Sequence, residues 1–230
     1  MKMDKYIALN GYTSRRKAYD LIGEKRVEVN GKVATYSTVY KDGDLVKIDG
    51  VVLQIKKFVP TLIAYHKPKG IICTTEKIPG NIVDAIKHKE TIYPVGRLDK
   101  DSEGLILLTN QGELIDKIAN AIFGHEKEYV VTLNLPVRSS FLREIREGIE
   151  LNGERTKPCK ATLEPGTTRI FRIVLTQGMN RQIRRMCNAY DYQVLKLQRV
   201  RVMNINLGKL KPGEWRDLTE AERDELMGQL

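Results

Sequence analysis

The sequence has few of the residues from which small domains build covalent or metal cross-links. Its three cysteines are scattered with no Cys-x-x-Cys pair, and its three histidines show no metal-ligand spacing. The cysteines are therefore expected to be reduced and buried, and neither a disulfide framework nor a zinc site is predicted.

Long apolar stretches are also missing. No run of about 18 apolar residues occurs, and the first residues do not have the pattern of a signal peptide. These absences predict a soluble, cytoplasmic protein with no membrane contact. The chain also lacks a glycine-rich phosphate-binding loop, internal repeats and low-complexity segments, and nothing in it requires a cofactor.

Basic residues, in contrast, are in excess. Among 230 residues, 39 are Lys or Arg and 29 are Asp or Glu, which gives a formal net charge of +10. Such a balance favours a polyanionic partner, most simply nucleic acid. The length allows one large domain or two unequal ones, with a sizeable core.

The most informative stretch is a charged loop between two apolar segments. Apolar β-forming residues precede it at 92–95 and follow it at 105–108, and the sequence between them is Gly-Arg-Leu-Asp-Lys-Asp-Ser-Glu-Gly. A strand–loop–strand arrangement holds side chains at the rim of a sheet. Arg97 and Asp99 lie two residues apart and therefore point the same way in an extended segment. Asp99 is the best candidate for a functional carboxylate.

Other interpretations of this loop remain open from the residues alone. Asp99, Asp101, Glu103 and Gly104 match four positions of a calcium-binding loop, but the final ligand position holds Asn110 and the flanks predict strands. A phosphotransferase loop would need a phosphate cradle that the chain lacks. A solvated loop with no chemistry is the simplest alternative.

Residues 1–58 are predicted to form a small module of two helices and short strands. The first helix runs from Asp4 to Leu9, and Thr13 or Ser14 caps the second. Arg15, Arg16 and Lys17 lie at the start of the second helix, where the helix dipole disfavours cations, so a phosphate partner is predicted over a plain solvated face. An Asn-Gly hairpin is predicted at 27–33, and further strands at 45–48 and 51–55.

After a short linker at 55–60, the chain predicts a second domain. Two strands, 61–67 and 71–75, flank a Lys-Pro-Lys-Gly turn, and a short helix follows at 81–87. A capping box at 110–113 is expected to begin a helix at 114–122 with a core-facing stripe. Its members are Ile115, Ile118, Ala119 and Ile122. Strands are predicted at 127–133 and 169–176, with a helix at 141–149 between them.

The stretch 177–190 predicts a basic amphipathic helix. Ile183, Met186, Cys187 and Tyr190 recur at helical spacing, with Arg181 and Arg185 on the opposite side. A solvated basic face is the alternative. Arg184 adjoins the apolar stripe, however, where a charge is costly without a carboxylate partner.

Several of these motifs together resemble one enzyme family. Gly96-Arg97-Leu98-Asp99 followed by residues 102–110 is similar to the catalytic motif of RNA pseudouridine synthases, and the residues between them indicate the RsuA/RluB/RluE/RluF branch, closest to the RluF type. Residues 4–5, 14–16, 27–31 and 43–44 resemble the S4 RNA-binding domain. The resemblance implies an α+β chain: an S4-like domain at 1–58 and a catalytic domain at 59–230 with a mixed, largely antiparallel sheet and a central cleft.

The resemblance also implies roles for individual residues. Asp99 would be the catalytic carboxylate, Arg184 its ion-pair partner and Tyr129 the residue that packs on the base. Without the family, Tyr129 is an ordinary core tyrosine. Lys67 fits an RNA contact or a structural turn equally. The residues expected to bind RNA are Arg15, Arg16, Lys17, Arg26, Asn30, Lys67, Arg97, Lys100, Asn180, Arg181, Gln182 and Arg185.

The implied reaction is an isomerisation of uridine that needs no metal and no cofactor. The expected partner is a stem-loop of large-subunit (23S) ribosomal RNA, bound by a monomer whose Arg97 fills the space that a flipped-out uridine leaves. Three alternatives stay open: a small-subunit (16S) synthase of the RsuA type, a non-catalytic ribosome-associated RNA-binding protein, and a metal-dependent RNA hydrolase.

Overall fold

The computed structural model describes residues 1–54 and 59–230 and divides the chain into two compact units, Met1–Pro60 and Thr61–Leu230. The linker predicted at 55–60 and the end of the strand predicted at 51–55 include positions 55–58, which lie outside the described residues. In the described part of the chain, no helix is long and apolar enough to cross a membrane.

The first unit packs two helices on a small antiparallel sheet. The helices are α1 (Met3–Leu9) and α2 (Arg15–Gly23), and the strands are β1 (Val27–Val29), β2 (Lys32–Val33), β3 (Val46–Ile48) and β4 (Val51–Val52), in the order β2-β1-β3-β4. Ser14 caps α2 by accepting a hydrogen bond from the Lys17 amide, as predicted. Asn30 and Gly31 both have positive φ, which is the backbone of the predicted hairpin turn.

The second unit contains the remaining elements. They are β5 (Leu62–Lys67), α3 (Ile82–Ile86), β6 (Tyr93–Val95), β7 (Glu103–Thr109), α4 (Gly112–Ala119), a 3-10 turn (Ala121–Phe123), β8 (Lys127–Leu133), α5 (Ser139–Glu147), β9 (Glu150–Leu151), β10 (Glu154–Arg155), β11 (Lys160–Leu163), β12 (Ile170–Leu175), α6 (Gln182–Asn188), β13 (Val194–Val202), β14 (Ile205–Asn206), β15 (Trp215–Asp217) and α7 (Glu220–Gly228).

One large sheet organises this second unit. Its order is β11-β12-β8-β13-β7-β5-β15, with β6 paired to β7 and β14 to β13. The β13–β7 pair is parallel and the other described pairs are antiparallel, so the sheet is mixed and largely antiparallel as expected. Alternate residues of β7 enter different cores: Leu105 packs with the cluster of α4 and α7, and Ile106 with that of α3.

The second strand predicted after the Lys-Pro-Lys-Gly turn is wrong. In 71–75 the chain makes one isolated bridge, from Ile72 to Asn81. The backbone of this stretch bonds locally instead: the Ile72 amide donates to the Gly80 carbonyl, and the Ile72 carbonyl accepts from the Thr74 and Ile82 amides.

The predicted capping box is also wrong. The side-chain oxygen of Asn110 accepts from the Thr61 amide at 2.9 Å, which ties β7 to β5, and Gln111 makes no side-chain cap for α4. The helix ends at Ala119. Ile122 falls in the 3-10 turn and is 83% exposed, so it is not part of the core stripe.

Candidate active site

The charged loop joins β6 to β7, as the apolar flanks predict. Leu98 anchors it by burying its side chain and donating its amide to the Sγ of Cys73 at 3.3 Å. The Ser102 amide donates to the Asp99 carbonyl at 3.1 Å, which closes a tight turn around Asp99. The carboxylate of Asp99 remains accessible, with 30% of its side chain exposed.

Arg181 supplies a positive charge to this loop from the start of α6. Its Nη1 lies 3.9 Å from the Oδ2 of Asp99, and its guanidinium contacts Asp101 at 3.3 Å. These carboxylates raise the pKa of Arg181, and the Arg181 hydrogen bond lowers the pKa of Asp101. Arg181 also has φ +48°, a left-handed conformation that non-glycine residues adopt rarely.

The pairing predicted between Arg184 and Asp99 is not formed. Arg184 donates to the Asp101 carbonyl at 3.1 Å and to the Ser102 hydroxyl at 3.4 Å, and its carboxylate neighbour is Asp101 at 3.8 Å. Arg184 lies one turn inside α6, beneath the loop, whereas Arg181 precedes the helix and reaches the carboxylate. Arg184 therefore holds the backbone behind Asp99.

Asp99 faces a cavity of about 350 Å³ in the second unit. Several of the predicted residues line it: Arg97, Asp99, Tyr129, Asn180, Arg181 and Gln182. Tyr129 comes from β8 and packs against two of the apolar cores. A larger cavity of about 530 Å³, lined by Arg201 and Glu225 among others, contains none of the predicted residues.

Two cationic residues that line the cavity of Asp99 were not predicted from the sequence. Lys127 and Arg199 both face the cavity of Asp99. The signals were present: Lys127 is two residues from Tyr129 on one strand, which puts both on the same face, and Arg199 interrupts the apolar positions of β13. Burial, and then the charge of Arg199, lower the pKa of Lys127 to about 8.

Lys67 is enclosed by the protein. It is 0% exposed, and its ammonium donates to the carbonyl oxygens of Pro68 at 2.8 Å and Ile71 at 2.9 Å, with the Lys100 carbonyl 3.5 Å away. Burial lowers its pKa. Of the two interpretations left open, this geometry supports the structural turn.

The remaining predicted contacts around the cavity divide by exposure. Arg97, Lys100 and Asn180 are exposed. Gln182 is buried, and its side-chain oxygen accepts from the Met179 amide at 3.1 Å. Arg185 donates to the Leu151 carbonyl. The side chains of Gln182 and Arg185 are therefore committed to the protein.

The basic residues of the first unit differ in the same way. Arg15, Arg16 and Lys17 are all exposed at the start of α2, and Arg15 also bonds to Asp4 at 2.8 Å. Arg26 is held by Asp49 at 2.7 Å and Glu24 at 2.9 Å, and these bonds raise its pKa. The side chain of Asn30 bonds to Asp44 and to the Leu45 amide.

The site thus combines an accessible carboxylate, an aromatic side chain and several cations around one cavity. Within the described residues, no group of three or more His, Cys, Asp or Glu side chains could hold a metal ion. A carboxylate in this setting can act as a nucleophile or as a base.

Comparisons with known proteins agree with this geometry. The model of the RNA pseudouridylate synthase family matches residues 61–189, and that of the S4 domain matches residues 1–46. The dual-specificity RNA pseudouridine synthase RluF of Escherichia coli K12 is 46% identical over 98% of this chain and 78% of its own.

A second relative, the ribosomal large subunit pseudouridine synthase B of Bacillus subtilis, is 37% identical over 96% of this chain and 93% of its own. A solved pseudouridylate synthase structure, 29% identical, covers 98% of this chain and 99% of its own with a TM-score of 0.71. The chain, with its S4 domain at the N-terminus, belongs to the RNA pseudouridylate synthase family and is an RNA pseudouridine synthase.

Proposed function

We propose that this synthase isomerises a uridine of large-subunit ribosomal RNA, with Asp99 as the catalytic carboxylate and the target nucleotide flipped out of its helix. The observation that carries the proposal is the position of Asp99. Its accessible carboxylate lies at a cavity that also contains Tyr129, and a guanidinium approaches it to 3.9 Å.

The isomerisation breaks the N1–C1′ bond of uridine, turns the base and joins C5 to C1′. An ionised Asp99 can begin this sequence by attacking C1′ or by removing a ribose proton. Both routes need the carboxylate charged although it is partly withdrawn from water. The positive charge of Arg181 offsets that desolvation, and Arg184 positions the carboxylate by donating to the Asp101 carbonyl and to the Ser102 hydroxyl.

Tyr129 and Arg97 serve the flipped nucleotide. A ring on a rigid strand can pack on a base and exclude water. Arg97 is exposed at the rim, and its planar guanidinium suits the space that the base vacates in the RNA helix. Extruding the nucleotide costs roughly a few kcal/mol, which RNA contacts elsewhere must offset.

The two domains divide these tasks: residues 1–58 supply RNA affinity and residues 59–230 the chemistry. Arg16 and Lys17 are exposed cations that support this division. The protein acts as a cytoplasmic monomer that requires neither metal nor cofactor. Large-subunit RNA is the proposed target because the Bacillus subtilis relative is named for that subunit.

The test is a pseudouridine map of ribosomal RNA at nucleotide resolution, from cells with the protein, without it and with the Asp99→Asn variant. The expected result is one or a few large-subunit uridines that are modified only with the wild-type protein. Modification confined to small-subunit RNA would overturn the target, and modification by Asp99→Asn would overturn the catalytic assignment.

A further inference from the structure

Arg199 is a buried cation whose hydrogen bonding is incomplete. The residue is 3% exposed, and its Nε donates to the Leu105 carbonyl at 2.6 Å. Its Nη2 is shielded from solvent and has no hydrogen-bond partner. The ion pairs found within residues 1–54 and 59–230 do not include it. Because buried donors are almost always paired, the acceptor for Nη2 is expected to come from a bound molecule.

Arg199 lines the cavity proposed for the base. Arg199 on β13 lies directly opposite Tyr129 on β8, so the two side chains share one face of the sheet, and both line the cavity of Asp99. On the other side, a Cβ at Gly104 would collide with the backbone of Arg199. This close approach of β7 fixes the position of Arg199.

A second cation faces the same cavity. Lys127 is two residues before Tyr129 on β8, its ammonium donates to the His125 carbonyl at 3.2 Å, and it too is outside the ion pairs of the described chain. Its lowered pKa reflects burial and the nearby charge of Arg199. Two cations without a carboxylate partner make this part of the cavity suited to an anion.

We propose that Arg199 stabilises the uracil base as an anion after it separates from the ribose, by donating from Nη2 to a carbonyl oxygen of the base. This inference rests on the function proposed above. A phosphate is a poorer match, since it would have to leave water to reach a side chain that is 3% exposed. A flipped base, in contrast, enters the cavity.

The charge arises directly from the reaction. When N1–C1′ breaks, the electron pair stays on the base and spreads over N1 and the carbonyl oxygens, while C1′ bonds to Asp99 or the ribose loses a proton. In the first route C5 then displaces the Asp99 carboxylate, so that C5–C1′ forms as the bond between C1′ and Asp99 breaks. In the second route C5 bonds to C1′ as the ribose regains the proton it lost. In both routes the C5 proton then leaves and N1 gains a proton. Nothing is oxidised or reduced. A donor aimed at charge that develops only during the reaction accelerates the chemical step.

The first experiment compares the full-length Arg199→Met and Arg201→Met variants with wild type on the ribosomal RNA fragment identified by the map. Arg201 is the matched control, since it is on the same strand but is neutralised by Glu126 and Glu128. Arg199→Met should lower the single-turnover rate constant by about 10²–10³, as loss of one oxyanion donor does. RNA affinity should change by less than about threefold, and Tm should fall no further than in Arg201→Met.

The second experiment separates stabilisation of the leaving base from a structural role. RNA with 5-fluorouridine at the target presents a base that carries negative charge more easily, so it needs Arg199 less. The rate penalty of Arg199→Met, measured as loss of the N1-linked nucleoside, should be at least about tenfold smaller on this RNA.

Any of three results would overturn the inference. The first is an equal fall in the rate constant of Arg199→Met on both RNAs, the second is a wild-type rate constant in Arg199→Met, and the third is a variant that loses RNA affinity alone. An inactive wild-type enzyme on the mapped fragment would instead overturn the proposed target.

Discussion

Arg181 reaches Asp99 from outside the helix in which an arginine partner was expected. The two side chains approach to 3.9 Å, while Arg184, one turn further on, binds the loop backbone. One arginine therefore supplies charge to the carboxylate and the other fixes its position. Single substitutions can separate these two contributions from each other and from those of the RNA-binding surfaces.

Asp99→Asn should abolish turnover and leave RNA binding intact. The substitution keeps size and hydrogen bonding but removes the charge and most of the nucleophilicity. Tritium release from 5-tritiated uridine in ribosomal RNA measures turnover, and filter binding measures affinity. Asp101→Asn is the matched control, with an expected loss of less than about tenfold because Asp101 is not among the residues lining the cavity. Turnover by Asp99→Asn would remove it from the mechanism.

Arg181→Met should lower kcat by about 10–100-fold, which corresponds to the loss of about 1.4–2.8 kcal/mol of stabilisation. Arg181→Lys should recover part of the rate, since it keeps the charge. Arg184→Met should lower both kcat and Tm, because the Asp101 carbonyl loses its donor. Two results together would contradict this prediction: a wild-type kcat in Arg181→Met, and a wild-type kcat in Arg184→Lys.

Deprotonation of Lys127 should make the activity of the enzyme fall at alkaline pH. Its ammonium, with a pKa of about 8, is present below that pH and is lost as the pH rises through it. If the charge supports the anionic base, kcat/KM should fall above about pH 8 and kcat at a higher pH, because bound RNA favours the charged form. In Lys127→Met the profile should be low and flat across this range. An identical alkaline limb in Lys127→Met would assign the titration elsewhere.

The basic cluster at the start of α2 should provide affinity without chemistry. Replacing Arg15, Arg16 and Lys17 by Ala should flatten the salt dependence of log K by roughly 0.7–0.9 for each RNA phosphate that is no longer neutralised. Two such phosphates are expected, since Arg15 already pairs with Asp4. KM should rise with little change in kcat. Arg26→Ala should flatten the dependence less, because two carboxylates neutralise Arg26. A fall in kcat at constant KM would contradict this division.

Local patterns predicted most of the elements in the chain. Strand alternation identified β8 and β12, the Asn-Gly pair identified the hairpin of the first unit, and Ser14 identified the start of α2. These features depend on residues close together in sequence. The carboxylate loop was placed correctly for the same reason, since its flanking strands are strongly apolar.

Several of the failures involve partners that are distant in sequence. The oxygen of Asn110 is engaged by Thr61, 49 residues away, so it does not cap α4. Arg184 was expected to pair with the carboxylate of Asp99, but it donates to the Asp101 carbonyl instead. The position of Arg199 in the apolar pattern of β13 was a signal, but its place at the site depends on the cavity where β8, β13 and the loop meet. The spacing of residues in the sequence predicts which face of a helix or strand a side chain occupies. It does not predict which group from elsewhere in the chain that side chain contacts.

Lys67 has a consequence for the substrate. It is fully buried and ties the carbonyls of its own turn together, and the Gly70 amide of that turn donates to the Lys100 carbonyl beside Asp99. Because these hydrogen bonds hold the loop that carries Asp99, we expect the loop to change its conformation little when a ribose binds. If the target uridine is flipped out as proposed, the RNA must make the adjustment. Uridines in bulges or next to mismatches, which leave the stack at the least energetic cost, should then be favoured over equally accessible uridines in regular helices. The choice of target then depends partly on the free energy needed to extrude each uridine from its RNA helix.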